Sequence, residues 1–176
     1  MTHQELVTIR GVPVEIPDPA RLTHLQFRRF AGCPVCNLHL RFFVRRNQEL
    51  RDAGVSEVVV FHSKKETMME FQGQLPFAAV ADPEKKLYAQ FGADRRMSPL
   101  QYLNPRTWWA GIRAIASARS LPGKLDHNTG TGEDRRGLPS DFLIDKDARV
   151  VAVKYGRRVD DHWSVDEVLS LARHRP

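Results

Sequence analysis

The sequence predicts an α/β fold in which a mixed central sheet is flanked by helices. Strand-like and helical apolar spacings alternate over residues 22–91, which is typical of parallel strands joined by helices. The continuous apolar run at 58–61, Val-Val-Val-Phe, suits a strand buried on both faces. Near the C terminus, Lys146-Asp147 forms a turn between two further strand-like runs, and such a hairpin adds an antiparallel pair to the sheet.

Turn and cap signals define the other elements. Residues 6–9 and 13–16 surround a glycine-containing turn and are predicted to form an N-terminal hairpin before the core. Asp82 supplies a helix N-cap, and Ser164 with Glu167 forms a capping box for the last helix. The predicted core elements are a strand at 22–30, a helix ending at Gly54, a strand at 55–62, a helix at 64–71, a strand at 77–80, a helix at 83–91, strands at 141–145 and 150–153, and a helix from 164.

Residues 94–137 interrupt this alternation, and we expect them to form a helical insertion before the last two strands. Asn104-Pro105 is typical of a helix start, and a basic amphipathic helix is predicted from there to about Arg119. A basic helix with tryptophan can lie on a membrane surface, but packing against the domain or a second subunit is favoured. Its two tryptophans suit a homodimer contact. With the insertion included, residues 1–176 are predicted to form a single domain.

Composition narrows the classes of function. The chain has 176 residues, of which 41% are hydrophobic and 27% charged, as in an ordinary globular protein. The net charge of +6 is spread along the chain without a Lys/Arg-rich run, so no nucleic-acid partner is expected. The sequence has no run of about 18 apolar residues and no apolar signal-peptide core near its start, so no membrane partner is expected. These features predict a cytoplasmic, reducing location.

Both cysteines lie where the first core strand gives way to a helix, in the sequence Cys33-Pro34-Val35-Cys36. A helix N-terminus favours a thiolate because its unpaired N–H groups and its dipole stabilise negative charge. Pro34 suits the first helical position and is predicted to leave Cys33 at an exposed tip, with Cys36 one turn behind it. We therefore predict that Cys33 is the attacking thiolate and Cys36 the resolving thiol.

Two arginines, Arg28 and Arg29, precede the cysteines. Successive strand residues point to opposite faces, so only one of the two side chains can lie beside Cys33. We predict that it is Arg29, whose positive charge favours the thiolate.

Other roles for the cysteines are less well supported. Two buried, inert thiols remain an alternative, because free cysteine is often a small apolar core residue. A zinc site needs two more ligands, and only His39 and His62 lie near in the sequence, so no metal and no cofactor are predicted. Covalent haem attachment needs histidine directly after the second cysteine, where this chain has Asn37.

Residues 28–40, with a strand, Gly-Cys-x-x-Cys and an amphipathic helix, resemble the peroxiredoxin-like branch of the AhpC/TSA group of thioredoxin-fold proteins. That branch often has an arginine four residues before the first cysteine, as Arg29 is here. Residues 137–145 and 148–153 resemble the last two strands of the fold, and the resemblance extends over about residues 22–172. It implies a thioredoxin-like fold.

The resemblance also implies the chemistry. Cys33 would reduce a peroxide and become sulfenic acid, Cys36 would convert it to a disulfide, and an external dithiol such as thioredoxin would reset the pair. Proteins of this fold place a cis-proline beside the cysteine pair, just before a strand, where it shapes the substrate groove. This implies that Pro139 contacts the substrate, and we assign the same role to Pro34 within the cysteine turn.

Two alternatives stay open. Gln26 and Phe30 stand where typical peroxiredoxins have proline and threonine or serine, and this departure favours thiol–disulfide exchange on a disulfide substrate. The second alternative is a non-catalytic thioredoxin-fold binding module that holds an acidic partner through the basic insertion.

Overall fold

The computed structural model describes residues 2–98, 105, 109, 112 and 135–174, and it contains a five-stranded sheet and a separate two-stranded hairpin. The strands of the described residues are β1 (Gln4–Val7), β2 (Pro13–Ile16), β3 (Leu22–Phe27), β4 (Val55–Phe61), β5 (Ala78–Ala81), β6 (Ser140–Ile144) and β7 (Val150–Tyr155). The helices to which we give labels are α1 (Pro34–Arg45), α2 (Asn47–Asp52), α3 (Lys65–Gln72), α4 (Lys86–Gln90) and α5 (Val165–Arg173).

The five-stranded sheet is mixed and has the order β5-β4-β3-β6-β7. The strands β3, β4 and β5 run parallel to one another, whereas β6 is antiparallel to both β3 and β7. At the C-terminal end of β3, Phe27 pairs with Val60 of β4 and with Ser140 of β6. All of β3 is buried, so the segment that carries the cysteines leaves from the centre of the sheet. The predicted α/β class with a mixed sheet is confirmed.

Helices pack on both faces of the sheet. On one face, Phe43 of α1 and Val168 of α5 share an apolar cluster with Leu143 of β6. On the other face, Phe27 of β3 contacts Tyr88 of α4, with ring centroids 4.9 Å apart. Complete burial of a side chain such as Phe43 contributes about 1.5–3 kcal/mol. The first of these clusters, which includes Cys36, holds α1 against the sheet.

Some element boundaries differ from those that the sequence predicts. Residues 34–52 form two helices where apolar spacing predicts one, and Arg46, with φ −109°, separates them while its guanidinium binds Asp166 of α5. The fourth helix begins three residues later than predicted, after Lys85 with φ 56°. Asp82 nevertheless caps it, because its carboxylate accepts the N–H groups of the first three residues of α4.

The N-terminal hairpin is confirmed. Strands β1 and β2 pair antiparallel, and the turn between them includes Gly11 with φ 79°. The N–H of Ile9 donates to the carbonyl of Ala79 in β5 at 2.8 Å, so the hairpin occupies part of one sheet edge. Ile16 is fully buried among the residues that face α4.

The expected insertion is closed at its base by backbone hydrogen bonds. Met97 N–H donates to Arg136 at 2.7 Å, and Leu138 N–H donates to Arg95 at 2.9 Å. Most of the helix predicted at 104–119 lies outside the described residues, and the single-domain assignment stays a prediction. No helix within the described part of the chain is long and apolar enough to cross a bilayer.

Candidate redox site

The loop between β3 and α1 positions the cysteine pair. Strand β3 ends at Phe27, three residues before its predicted end, and Cys33 N–H donates to the carbonyl of Phe30 at 3.0 Å in a tight turn. Cys33 is the N-cap of α1, with extended φ and ψ of −64° and 114°, and Pro34 is the first helical residue. Proline disfavours helical backbone at the residue before it, so the local sequence itself makes the helix begin at Pro34.

Donors from Arg29 and Cys36 face the sulfur of Cys33. The backbone N–H of Cys36 lies 3.5 Å from Sγ, and Nη1 of Arg29 lies 3.6 Å from it. Burial is the largest influence and raises the pKa of Cys33, but the hydrogen bonds from Cys36 and the charge of Arg29 outweigh it and bring the pKa to about 6. At neutral pH the thiolate therefore predominates.

Cys36 has the opposite electrostatics. Its side chain is also buried, and neither cysteine is in a disulfide. Burial raises the pKa of Cys36 well above its usual value, and the adjacent Cys33 raises it further. Because two neighbouring sulfurs cannot both be charged at low cost, the pair holds one thiolate, at Cys33, and one thiol.

Cys33 is not the exposed tip that the sequence predicts; its side chain is fully buried. Neighbouring side chains explain the difference. Phe30, only 8% exposed, shares an apolar cluster with Cys33, and the guanidinium groups of Arg29 and Arg135 lie 5.5 and 5.9 Å from its ring centroid. Arg29 also donates from Nη2 to the carbonyl of Arg135. The C-terminal end of the 94–137 segment thus packs beside the cysteine loop.

Arg28 and Arg29 diverge as the alternation predicts, and Arg28 points away from the cysteines. Its guanidinium is fully buried and lies 2.7 Å from Oδ1 of Asp141 and 2.6 Å from Oε1 of Gln26. Gln26 stands where typical peroxiredoxins have proline, so in this chain the position serves a buried hydrogen-bond network.

That network forms a buried polar layer on the sheet face covered by α1, made of His24, Gln26, Arg28, Glu57 and Asp141. His24 lies 2.8 Å from Glu57 and 3.2 Å from Asp141. Burial lowers the pKa of His24, but the two carboxylates outweigh it and raise the pKa to about 9. Arg28 and His24 hold the pKa of Asp141 well below its usual range against the effect of burial. Two cations thus balance two carboxylates, so each charge is paired.

Two more histidines adjoin this layer. His39 of α1 and His162 stack with ring centroids 4.0 Å apart, and Nε2 of His39 lies 3.2 Å from Nη2 of Arg28. Burial lowers the pKa of His162 to about 3, and burial, His162 and Arg28 hold the pKa of His39 well below its usual value. Both rings are therefore neutral. Among the described residues, no group of three or more His, Cys, Asp or Glu is arranged to hold a metal ion.

The two prolines assigned to substrate contact lie at one end of the sheet. Pro34 is partly exposed at the start of α1, and Pro139 directly precedes Ser140, the partner of Phe27 in β3. The cis X–Pro bond of the described residues is Ile16–Pro17 and not the bond before Pro139, and the substrate contact assigned to Pro139 stays a prediction. Trans is the lower-energy form of an X–Pro bond.

Two surface grooves lie elsewhere on the described part of the protein. One groove of about 600 Å³ lies at the opposite end of the sheet, beside Leu22, Asp145 and Arg149. A second groove of about 350 Å³ is bordered by His39, His162 and Phe42. Neither contains a cysteine.

Residues 42–158 match the model of a family described as AhpC/TSA antioxidant enzyme. The matched region begins after Cys36, so both cysteines precede it. No curated protein matches the chain.

Solved structures share the fold at low identity. The chain is similar to peroxidoxin BcpB from Mycobacterium tuberculosis, with 19% identity over 98% of this chain and 93% of that one and a TM-score of 0.68. Bacterioferritin comigratory protein from Xanthomonas campestris is 17% identical over 97% and 90% of the two chains, with a TM-score of 0.65. A protein described as thiol:disulfide interchange protein DsbE, from Chlorobium tepidum, is 18% identical over 97% and 94%, with a TM-score of 0.58.

Proposed function

Since the chain belongs to the AhpC/TSA antioxidant enzyme family, we propose that it is a peroxiredoxin-like thiol enzyme that reduces peroxides through Cys33. The observation that carries this proposal is the environment of Cys33 Sγ, which faces the guanidinium of Arg29 at 3.6 Å and the N–H of Cys36 at 3.5 Å. Both donors stabilise the anion that attacks in such chemistry.

The first step is nucleophilic displacement on oxygen. The Cys33 thiolate attacks one peroxide oxygen, an S–O bond forms and the O–O bond breaks. Sulfur is oxidised to sulfenic acid while the peroxide is reduced, and the departing alkoxide or hydroxide takes a proton from water. The positive charge of Arg29 beside the sulfur favours the anionic reactant.

The second step uses Cys36. Its thiol condenses with the sulfenic acid, an S–S bond forms, and the oxygen leaves as water. Cys36 is hard to deprotonate while Cys33 is a thiolate, because the neighbouring charge adds to the effect of burial. Oxidation of Cys33 to sulfenic acid removes that charge, so Cys36 is easier to ionise at the step in which it attacks the sulfenic acid.

An external dithiol such as thioredoxin then reduces the disulfide, regenerating two thiols and becoming a disulfide itself. The burial of Cys33 favours a small peroxide over a large substrate in the oxidising step. The bacterioferritin comigratory protein of Xanthomonas campestris has alkyl peroxide reduction activity, and we extend that substrate class to this chain.

Thiol–disulfide exchange is the second candidate, favoured by one specific observation. Phe30 stands where typical peroxiredoxins have a hydroxyl residue, and the guanidinium groups of Arg29 and Arg135 lie 5.5 and 5.9 Å from its ring centroid. The site therefore has no hydroxyl at this position to bind a peroxide. Thiol–disulfide exchange requires only the thiolate and the resolving thiol. The fold shared with the DsbE structure is compatible with this candidate.

Single cysteine variants test the assignment of roles. We expect Cys33→Ser to abolish reaction with hydrogen peroxide, and Cys36→Ser to stop at a sulfenic acid on Cys33 that dimedone traps. Intact-mass spectrometry detects both products, and a disulfide substrate offered to the same variants separates the two candidates. Equal peroxide reactivity of the two variants would contradict the roles given to Cys33 and Cys36, and a faster reaction with the disulfide than with peroxide would favour exchange.

A further inference from the structure

The backbone of Ala31, two residues before Cys33, is held by side chains from three parts of the fold. Its N–H donates to Oγ of Ser63, which follows β4, at 2.8 Å. Its carbonyl accepts from Nδ2 of Asn37 in α1 at 2.9 Å and from Nε2 of Gln72 in α3 at 2.8 Å. We refer to Ser63, Asn37 and Gln72 as the Ala31 clamp.

Gln72 connects the members of the clamp. Its side-chain nitrogen lies 2.8 Å from the carbonyl of Ala31 and 2.9 Å from Oδ1 of Asn37, so it can donate to both. The residue is only 2% exposed on a helix whose other side faces solvent. A buried amide that donates to backbone and side chain at once is stabilising only while both partners stay in place.

The clamp joins the two ends of the segment that contains both cysteines. Residues 31 and 37 bracket Cys33 and Cys36, and they are bonded directly and through Gln72. The turn between them places Sγ of Cys33 within reach of the Cys36 N–H and of Arg29. Both contacts depend on where this turn places the sulfur, so a shift of the turn changes them.

We propose that Gln72 is a positioning residue for Cys33, which holds the cysteine turn so that the thiolate keeps both donors. This inference rests on the proposed function, since it concerns the reactivity of the same thiolate. Gln72 touches neither sulfur; it acts through Ala31 and Asn37.

Gln72→Met tests the inference. It removes the side-chain amide that donates to Ala31 and Asn37 and keeps an unbranched side chain of similar length. We would measure the pH dependence of Cys33 alkylation in a Cys36→Ser background, together with the peroxide rate and the cooperativity of unfolding. We expect the pKa of Cys33 to rise, and a rise of about one pH unit would lower the alkylation rate near pH 6.5 about threefold. Met68→Leu, on the same buried face of α3, is the matched control and should leave the pKa unchanged.

Asn37→Ala supplies an independent variant at a partly exposed position and removes the direct bond to Ala31. We expect it to raise the pKa of Cys33 in the same direction. Folded variants with an unchanged pKa and peroxide rate would overturn the positioning role, because a residue that serves only stability changes the unfolding transition and not the thiol. An ordinary pKa and free-cysteine reactivity in the unsubstituted protein would instead overturn the proposed function.

Discussion

At the scale of single residues, hydrogen bonds from Cys36 and the charge of Arg29 distinguish Cys33 from an ordinary buried thiol. Burial alone raises the pKa of a cysteine, yet Cys33 has a pKa of about 6 because of the donors around it. Arg29 is the one full positive charge among those donors, and it lies 3.6 Å from Sγ. The hydrogen bonds from Cys36 and the charge of Arg29 therefore explain together why the thiolate forms.

Arg29→Met should raise the pKa of Cys33 toward the value of about 8.5 found in free thiols, because the charge and its hydrogen bond are lost while the aliphatic stem remains. The measurement is the alkylation rate against pH, with an expected decrease of about threefold or more near pH 6.5. Arg45→Met, which removes an exposed arginine from the last turn of α1, is the control. An equal pKa in the two variants would show that Arg29 does not stabilise the thiolate.

At the scale of elements, caps fix where the helices begin. The last helix, α5, has the capping box that the sequence predicts: Oγ of Ser164 accepts the N–H of Glu167 at 3.2 Å, and Glu167 accepts the N–H of Ser164 at 2.7 Å. This helix closes the apolar cluster next to α1 through Val168 and Leu169. Its cap therefore stabilises the fold at a distance from the thiol chemistry.

Ser164→Ala should lower the free energy of unfolding by about 1 kcal/mol and leave the pKa of Cys33 unchanged. Urea titration measures the first quantity, and alkylation against pH measures the second. Ser170→Ala, the same substitution at an exposed position within α5, should change stability by less than about 0.5 kcal/mol. Equal stability losses in the two variants would contradict the role of the capping box.

At the scale of the whole molecule, buried histidines make stability depend on pH in two directions. The folded-state pKa values of His39 and His162 are lower than the unfolded value of about 6.5, so the unfolded chain takes up protons first as the pH decreases. Each of these two histidines then lowers the free energy of unfolding by up to about 1.4 kcal/mol for every pH unit below pH 6.5. His24 has a raised pKa, so its stabilising contribution is complete below about pH 6.5 and is lost as the pH rises toward 9.

The free energy of unfolding, measured from about pH 4.5 to 9, should therefore have its maximum near pH 6.5 in the Cys33→Ser/Cys36→Ser variant. Both cysteines are replaced because the lowered pKa of Cys33 adds stability as the pH rises above 6 and masks the loss from His24. His162→Gln should reduce the slope below pH 6.5, and His174→Gln, at an exposed position in the C-terminal segment, should not. A free energy of unfolding that does not decrease below pH 6.5 would contradict the neutral state assigned to His39 and His162.

Local sequence patterns predict much of this fold, because caps, apolar runs and strand alternation act over a few residues. The hairpin, the mixed sheet and the divergence of Arg28 from Arg29 follow from such patterns. The buried polar layer does not follow from them, because His24 contacts Glu57 and Asp141, which are 33 and 117 residues away in the sequence. Local patterns also do not predict the burial of Cys33, because Arg135, which packs beside Phe30, is more than 100 residues away in the sequence. In the sequence, Gln72 is one polar residue of an amphipathic helix, and only the structure shows that it contacts Ala31.

The most direct test of the central claim is the intact mass of the fully reduced protein against time after one equivalent of hydrogen peroxide is added, with free cysteine at the same pH as the reference. A peroxide-reactive Cys33 resolved by Cys36 predicts loss of two hydrogens, far faster than free cysteine is oxidised. Reaction no faster than that of free cysteine would contradict the peroxidase proposal and leave thiol–disulfide exchange or binding as the function of the fold.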